Sequence, residues 1–326
     1  MGTTTIVDLD EDLRHRLSRV EERLRAVLDE PVAAHATHLI DAGGKRVRPL
    51  LALLGAQFGE PDSPKVVDAA VITELVHVGT LHHDDVMDEA VVRHGVATAN
   101  ALWGNNLAVL IGDLMLARAA ELGADLGLDS LRLQATTLAR LVRGQLLEAV
   151  RPPRDADPAD AMAHCIEVMA DKSASLFSMA VQLGAQVAGA DDTTCAALAR
   201  YGEYLGIAFQ IADDVLDICA PGTDSGKTPG TDLRAGVVTV PVLHALASSG
   251  PVADRLRVIL VTGAVTDSEL HAEALDLLRR SPGPARARAD ARCYAERART
   301  ELAALPPLRA RAVLEGLCDF VRDRSV

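Results

Sequence analysis

The sequence predicts an all-α chain, and three observations predict it. Hydrophobic residues fill 49% of the 326 positions but aromatics only 2%, so any core must be built from Leu, Val, Ile and Ala. Joined with Arg and Glu in long segments, that mix favours helices. Apolar residues recur at helical spacing, and no stretch has the alternating β-branched character of a sheet. Finally, a five-residue acidic pattern occurs twice in apolar frames, as Asp84-Asp85-Val86-Met87-Asp88 and Asp213-Asp214-Val215-Leu216-Asp217. In a helix the first and last Asp of each copy lie one turn apart on a shared face.

Taken in order, residues 8–29 alternate charge and apolar positions at helical spacing. Helical patterns follow over 32–42, 48–58, 64–89, 97–101, 105–125, 128–150, 157–170, 172–188 and 192–219. They continue over 237–247, 251–262, 267–279, 284–303 and 307–322. The breaks carry Gly and Pro: Gly43-Gly44, Gly59-Glu60-Pro61, Arg151-Pro152-Pro153, Pro221 to Gly230, and Ser281-Pro282-Gly283-Pro284. None is long enough for a flexible interdomain linker, so the expectation is one domain over residues 1–326. No regular short repeat separates the two acidic motifs, which excludes a solenoid.

A net charge of −13 argues against nucleic acid as a partner. Small anionic substrates stay open, because basic residues cluster locally. The five cysteines, Cys165, Cys195, Cys219, Cys293 and Cys318, are scattered without a CxxC pair. That sparse, odd set suggests reduced thiols and a cytoplasmic setting. The first ten residues lack a basic region followed by an apolar core, so no signal peptide is expected. Ile6 stands where a myristoylation signal needs Ser or Thr. No uncharged apolar run approaches about 18 residues, so no transmembrane segment is expected.

The chemistry starts from the carboxylates. Like charges one turn apart repel and weaken a helix, so something cationic belongs between them. Six carboxylates facing each other would form a cage for a hard cation, and Mg²⁺ held by carboxylates plus substrate phosphates fits best. A single such motif is weak, since Asp pairs are common on solvated faces. Two copies in similar apolar frames, with basic residues in several places, point to metal. His77 lies two turns before Asp84 on the same face. A lone His there is more often a core residue, but beneath a metal site it becomes a phosphate contact. His82 and His83 diverge from Asp84 by about 100° per residue and are read as structural. Gly43-Gly44-Lys45-Arg46-Val47-Arg48-Pro49 lets backbone approach an anion while supplying charge, though a solvated loop is an equal reading. It is not a P-loop, because GxxxxGK[ST] is absent. Arg93, Lys172-Ser173 and Lys227 complete a basic set suited to two diphosphate groups.

In order along the chain, these elements resemble the all-trans polyprenyl diphosphate synthases. The matching residues are Gly43 to Pro49, the motif at 84–88, Arg93 with Gly95, Gly112-Asp113, Lys172-Ser173-Ala174, Phe209-Gln210 through Asp217, Gly226-Lys227 and Asp232-Leu233. The resemblance covers a core of about residues 20–320. It implies an antiparallel helical bundle around a deep central cavity, with the acidic motifs facing each other across its mouth. Asp84, Asp85, Asp88, Asp213 and Asp217 then bind several Mg²⁺ ions, Asp214 contributing through water. Arg93, Lys172 and Lys227 hold an allylic diphosphate, with Gln210 and Ser173 beside it. Lys45, Arg48 and His77 hold isopentenyl diphosphate, and His94 donates to that second diphosphate. A homodimer is implied, as is a peripheral membrane encounter that helps release a greasy product.

The implied reaction is Mg²⁺-dependent head-to-tail (1'-4) condensation. The allylic C–O bond ionises, an apolar cavity keeps water from the cation, and the double bond of isopentenyl diphosphate attacks it. The departing diphosphate takes the proton, since the sequence offers no obvious protein base. Gly79 and Thr80 lie about one turn below the motif, roughly 5.4 Å deeper. Both are small, so chain growth past that level and a medium- or long-chain product are expected. Gly79 has an alternative reading as a close helix-packing contact.

Three positions depart from the family pattern: His94 replaces a usual Arg, Ser173 a usual Thr, and Val237 a usual Lys. Losing that Lys weakens allylic binding by roughly 1–3 kcal/mol. The alternatives are a short-chain farnesyl or geranylgeranyl diphosphate synthase, a class I terpene cyclase on the same scaffold, and a non-catalytic synthase subunit. The intact second motif and the scarcity of aromatics argue against a cyclase. Six retained carboxylates argue against a silent subunit.

Overall fold

A computed structural model describes residues 10–28, 33–150, 157–219, 229–261 and 263–324. Lys227 lies outside the described residues, as does most of the Gly/Pro-rich segment around it. The order of elements is α1 (Glu11–Val27), α2 (Ala33–Ala36), α3 (His38–Asp41), α4 (Val47–Ala56), α5 (Lys65–Met87), β1 (Val92–Arg93), β2 (Val96–Ala97), α6 (Ala99–Trp103), α7 (Asn105–Leu126) and α8 (Leu128–Val150). There follow α9 (Pro158–Met169), a π-helical turn at Ala170–Ala174, α10 (Ser175–Val187), α11 (Asp192–Cys219), α12 (Thr231–Ala235) and α13 (Val240–Leu246). The chain closes with α14 (Pro251–Leu260), α15 (Ser268–Arg280), α16 (Gly283–Leu302) and α17 (Arg309–Arg324).

The all-α expectation holds for every long segment. Side-chain caps mark several starts: Asp10 accepts from the Leu13 N–H at 2.8 Å, and Asp157, followed by Pro158, accepts from Ala159. Three local features escaped the sequence reading. A two-stranded antiparallel hairpin, β1–β2, follows the first acidic motif. The short helix α12 follows the second. Residues 170–174, where the sequence reading ends one helix at 170 and starts the next at 172, form a continuous π-helical turn. Four residues of hairpin and five of helix carry too little periodicity to stand out from loop.

The chain divides into two compact units. The first comprises residues 1–139, 176–202 and 301–317. Its central helix, α5, buries Val66, Ala69, Val71, Ile72, Leu75, Val76 and Val78, so apolar residues surround it. A helix apolar on all sides belongs inside a core. All of α4 from Pro49 to Ala56 is buried too. Small residues let it touch α10: a Cβ on Gly184 would lie 1.9 Å from the Ala52 carbonyl oxygen, and one on Gly55 2.0 Å from that of Val181. The fully buried Tyr201 donates its hydroxyl to the Leu314 carbonyl at 2.8 Å, which ties α11 to α17 inside this unit.

The second unit comprises residues 140–175, 203–300 and 318–326. One apolar cluster gathers Met169, Ala174, Ile207, Ile211, Val215, Val240, Ala287 and Ala291. Another gathers Ile218, Leu233, Val242, Leu256, Ile259, Leu275 and Leu278. Both draw on the stretch of α11 that carries the second acidic motif, so that motif is held by a packed helix. No helix among the described residues is long and apolar enough to cross a membrane.

The α4–α10 contact gives a prediction of sign. On helix propensity alone Gly184→Ala stabilises α10 by about 1 kcal/mol. The overlap with Ala52 backbone outweighs that gain, and we expect a net loss of about 2 kcal/mol in urea unfolding. A neutral or stabilising result would show that the two helices can separate without cost.

Candidate active site

In the first unit the acidic motif ends α5. Asp88 closes the helix, its N–H donating to the Asp84 carbonyl at 2.8 Å. Asp84 is half-buried and Asp88 exposed, on the shared face that the spacing predicts. Asp85 turns the other way. It is fully buried and accepts from Arg93 Nε at 2.6 Å. Its backbone carbonyl accepts from Asn100 Nδ2 and the Ala90 N–H. Burial pushes the Asp85 carboxyl up, against the pull of Arg93. Its second oxygen, Oδ2, is buried without a hydrogen-bond partner.

The hairpin explains how Arg93 gets there. Arg93 pairs with Val96 across a two-residue turn of His94 (φ 51°) and Gly95 (φ 81°). Two positive φ values make this the turn whose twist suits a tight hairpin. His94, one of the departures from the family pattern, thus stands at the exposed tip.

Basic residues gather around His77. The glycine-rich loop runs through Gly43 (φ 108°) and Gly44 (φ 147°) to Arg46 in the left-handed region (φ 47°). Arg46 does not reach outward. It donates to Glu74 at 2.9 Å, to the Ile40 carbonyl at 2.7 Å and to the Gly43 carbonyl at 3.4 Å. Glu74 is buried on α5, so this pair bolts the loop to the helix beneath it. Lys45 stays exposed, and the Arg48 guanidinium lies 5.0 Å from the Phe177 ring centre. Burial, then the positive charges of Arg48, His94, Arg93 and Arg46, holds the His77 imidazole well below its ordinary value. Of these basic groups, Arg46 is paired with Glu74 and Arg93 with Asp85.

Gly79 serves helix packing. A Cβ there would meet the Gly112 carbonyl oxygen and the Met115 Cβ at 3.2 Å, and one on Gly112 would meet His83 Nε2 at 2.3 Å. These glycines let α5 and α7 touch. Thr80, one residue on, is half-buried and bonds back to the His77 carbonyl at 2.9 Å. His82 is fully buried, and His83 contacts the Val109 carbonyl at 3.2 Å and Asp113 at 3.3 Å.

In the second unit the acidic motif lies near the end of α11. Asp213 faces Arg324 of α17 at 2.8 Å. Asp217 receives the Thr231 and Asp232 N–H groups at 3.2 and 3.3 Å, which caps the N-terminus of α12. Asp214 is buried and accepts from Gln210 Nε2 at 3.1 Å. Gln210 in turn accepts from Ser173 Oγ at 3.0 Å, so Ser173, Gln210 and Asp214 form one chain of hydrogen bonds. Burial, with Asp232, Asp213 and Asp217 nearby, pushes the Asp214 carboxyl well above the usual range. Its Oδ2 has no hydrogen-bond partner. Val237 donates its N–H to the Asp232 carbonyl at 2.8 Å, and its apolar side chain supplies no charge.

Lys172 sits on the π-helical turn and pairs with Glu148 at 2.5 Å. Two features that the sequence reading missed hold that turn. Asp171, almost fully buried, accepts from Arg140 at 2.8 Å and Arg143 at 2.5 Å, and Arg140 also pairs with Glu203. Gly144 on α8 lies so close that a Cβ would stand 2.5 Å from the Lys172 nitrogen. The Gly144-to-Glu148 spacing of one helical turn was the available signal.

Within each unit the motif's carboxylates are already engaged by neighbouring donors. Among the described residues no three His, Cys, Asp or Glu side chains gather as a metal-holding group. The reason is visible: Arg93 takes Asp85, Arg324 takes Asp213, and backbone amides take Asp217. The donor set still fits a hard divalent cation. The unpartnered buried oxygens of Asp85 and Asp214 are carboxylate oxygens, and Mg²⁺ needs only one or two carboxylates beside water and phosphate.

Comparison with known proteins bears on the same residues. The polyprenyl synthetase family model matches residues 29–278. The nonaprenyl diphosphate synthase of Mycobacterium tuberculosis is 45% identical over 316 residues, covering 96% of this chain and 93% of its own length. The structure of geranylgeranyl pyrophosphate synthase from Corynebacterium glutamicum, complexed with calcium and isoprenyl diphosphate, superposes with TM-score 0.86 at 40% identity, covering 98% of this chain and 99% of its own. That of a decaprenyl diphosphate synthase from Rhodobacter capsulatus gives 0.87 at 34% identity, with 97% and 98% covered.

The depressed His77 has a consequence for stability. Its folded value lies below that of the unfolded chain, about 6.5, so below that pH the unfolded chain binds a proton that the folded protein refuses. Stability is therefore full above about pH 7 and falls as the pH drops toward 5, at up to about 1.4 kcal/mol per pH unit from this group. His77→Gln should flatten that slope in urea unfolding across pH 5–8. An unchanged slope would mean that His77 titrates normally.

Proposed function

The chain belongs to the polyprenyl synthetase family, and from that premise we propose how its residues divide the work of prenyl transfer. The protein is a prenyltransferase with the all-α isoprenoid synthase fold. It joins isopentenyl diphosphate to an allylic diphosphate in all-trans chain elongation. Family membership is carried by the match over residues 29–278. The site assignment is supported chiefly by one observation: the glycine-rich loop and the β1–β2 hairpin bring Arg46, Arg48, Arg93 and His94 close enough to act on His77 of α5.

Lys45, Arg48 and His77 receive the diphosphate of isopentenyl diphosphate, with His94 donating at its edge. Arg46 positions them by pinning the loop to Glu74. Arg93, Lys172 and Lys227 hold the allylic diphosphate, with Gln210 and Ser173 beside it. Asp84, Asp88, Asp213 and Asp217 would ligate several Mg²⁺ ions, with Asp85 and Asp214 supporting them, and the metal supplies stabilisation of charge on the leaving diphosphate. Asp85 orients Arg93, and Gln210 orients Asp214. Apolar residues below the motifs exclude water from the allylic cation. The residues work as a single synthase domain, a reading supported by a family match that runs unbroken across both compact units. Leu102, Val109 and Leu110 stand exposed on α6 and α7, apolar surface that a second copy in a homodimer would cover. A peripheral encounter with a membrane serves product release.

Product length follows from Thr80. Gly79 is occupied by the α7 contact, so Thr80 is the small side chain left to let a chain grow past one turn below Asp84. The resulting product is of medium or long chain. Purified protein with Mg²⁺, isopentenyl diphosphate and farnesyl or geranylgeranyl diphosphate should yield, by mass spectrometry, a ladder ending beyond twenty carbons. Thr80→Phe should shorten it. A wild-type ladder that stops at fifteen or twenty carbons would overturn the length assignment, and absence of elongation would overturn the activity.

A further inference from the structure

One cation in the second unit belongs to none of the assigned groups. Arg324 is the last residue of α17, and its Nη1 lies 2.8 Å from Asp213 Oδ1. Its guanidinium rests over two rings, 4.7 Å from the Phe209 centre and 5.9 Å from that of Phe320. The side chain is 22% exposed, so most of its charge is already out of water.

Such a contact is not needed to hold α17. The helix is anchored by Leu314, Leu317, Cys318 and Val321, all buried. What the contact does is neutralise the first carboxylate of an acidic motif that shares its surroundings with Asp214, Asp217 and Asp232. Resting on the assignment of Asp213 as a metal ligand, we propose that Arg324 is a resident counter-ion. It occupies the Asp213 carboxylate in the metal-free protein and yields when a divalent cation arrives with a diphosphate.

Three physical points carry this. One carboxylate oxygen cannot give its best lone pair to a guanidinium and to a hard cation at once, so the two compete. Cation–π contact with Phe209 and Phe320 helps hold the guanidinium against Asp213 in the metal-free protein. A helix terminus and a long, jointed side chain can shift without unfolding the core. Arg324 thereby sets the metal affinity of the second motif and suppresses occupancy until diphosphate adds its own oxygens.

The test uses the full chain, stripped of metal, titrated with Mn²⁺ at saturating inorganic pyrophosphate and followed by electron paramagnetic resonance. Arg324→Gln should bind Mn²⁺ about threefold to tenfold more tightly than wild type. Arg324→Lys, which keeps the charge but loses the planar fork and much of the stacking, should fall between. Phe320→Leu, which removes one ring of the shelf, should shift affinity the same way by less. Thermal unfolding of each variant checks the fold. Unchanged or weaker Mn²⁺ binding by folded Arg324→Gln would overturn the inference. Asp213→Asn separates the premise: if it leaves Mn²⁺ affinity unaltered, Asp213 is not a ligand and the site assignment itself fails. Weakened binding in Asp213→Asn with no change in Arg324→Gln would overturn only the role of Arg324.

Discussion

Carboxylates at one-turn spacing on apolar helices must be neutralised, and much of the local structure around each motif answers that requirement. Without neighbours, each motif would carry repelling charges beside a core of Leu, Val and Ala. The first unit answers with Arg93, delivered by a hairpin to the buried Asp85. The second answers with Arg324 at Asp213, with backbone amides at Asp217, and with Gln210 at Asp214. The donors are two guanidiniums, backbone amides and a side-chain amide, and at Asp85 and Asp214 they leave one buried carboxylate oxygen without a hydrogen bond.

The basic side shows the same logic inverted. Arg46 and Glu74 form a buried ion pair, which alone is weak evidence for stability because desolvation offsets the attraction. Its use is geometric. Four hydrogen bonds from one guanidinium fix a loop with two positive-φ glycines, so Lys45 and Arg48 leave it in defined directions. Removing Arg46 would leave Glu74 buried without its main partner and release the loop together. Asp171 plays the corresponding part for Lys172, held by two arginines while Gly144 packs against the turn.

Long helices and both acidic motifs were legible in the sequence because they repeat: eight to thirty residues of helical periodicity, and one pattern written twice. The hairpin at Arg93, the five-residue α12 and the π-helical turn at Lys172 were not, because each is too short to repeat its period enough times to stand out. The residue types of the site were equally legible, but their partners were not. Asp85 and Asp88 look equivalent in a five-letter motif, yet the roughly 100° rotation per residue sends one into the protein and leaves the other in solvent. Arg324 carries no sequence signal at all, since its meaning comes only from folding α17 against α11. Gly79 could be read as a packing contact or as a space for product, and a Cβ there would stand 3.2 Å from the Gly112 carbonyl oxygen, which supports packing.

That last distinction bears on how this chain measures its product. If the residue five positions before Asp84 is held at glycine by α7, it is not free to vary, and changes in size there would disturb the α5–α7 contact before altering any space below the site. On the proposed assignment, length control then falls to side chains that can change without touching another backbone. Thr80 is half-buried and its hydroxyl is satisfied by its own helix, so a larger residue without that hydroxyl gives up one hydrogen bond worth about 1 kcal/mol. On that proposal, packing and product length fall to adjacent residues on α5. One is constrained by the fold and the other is available to set how far a chain can grow.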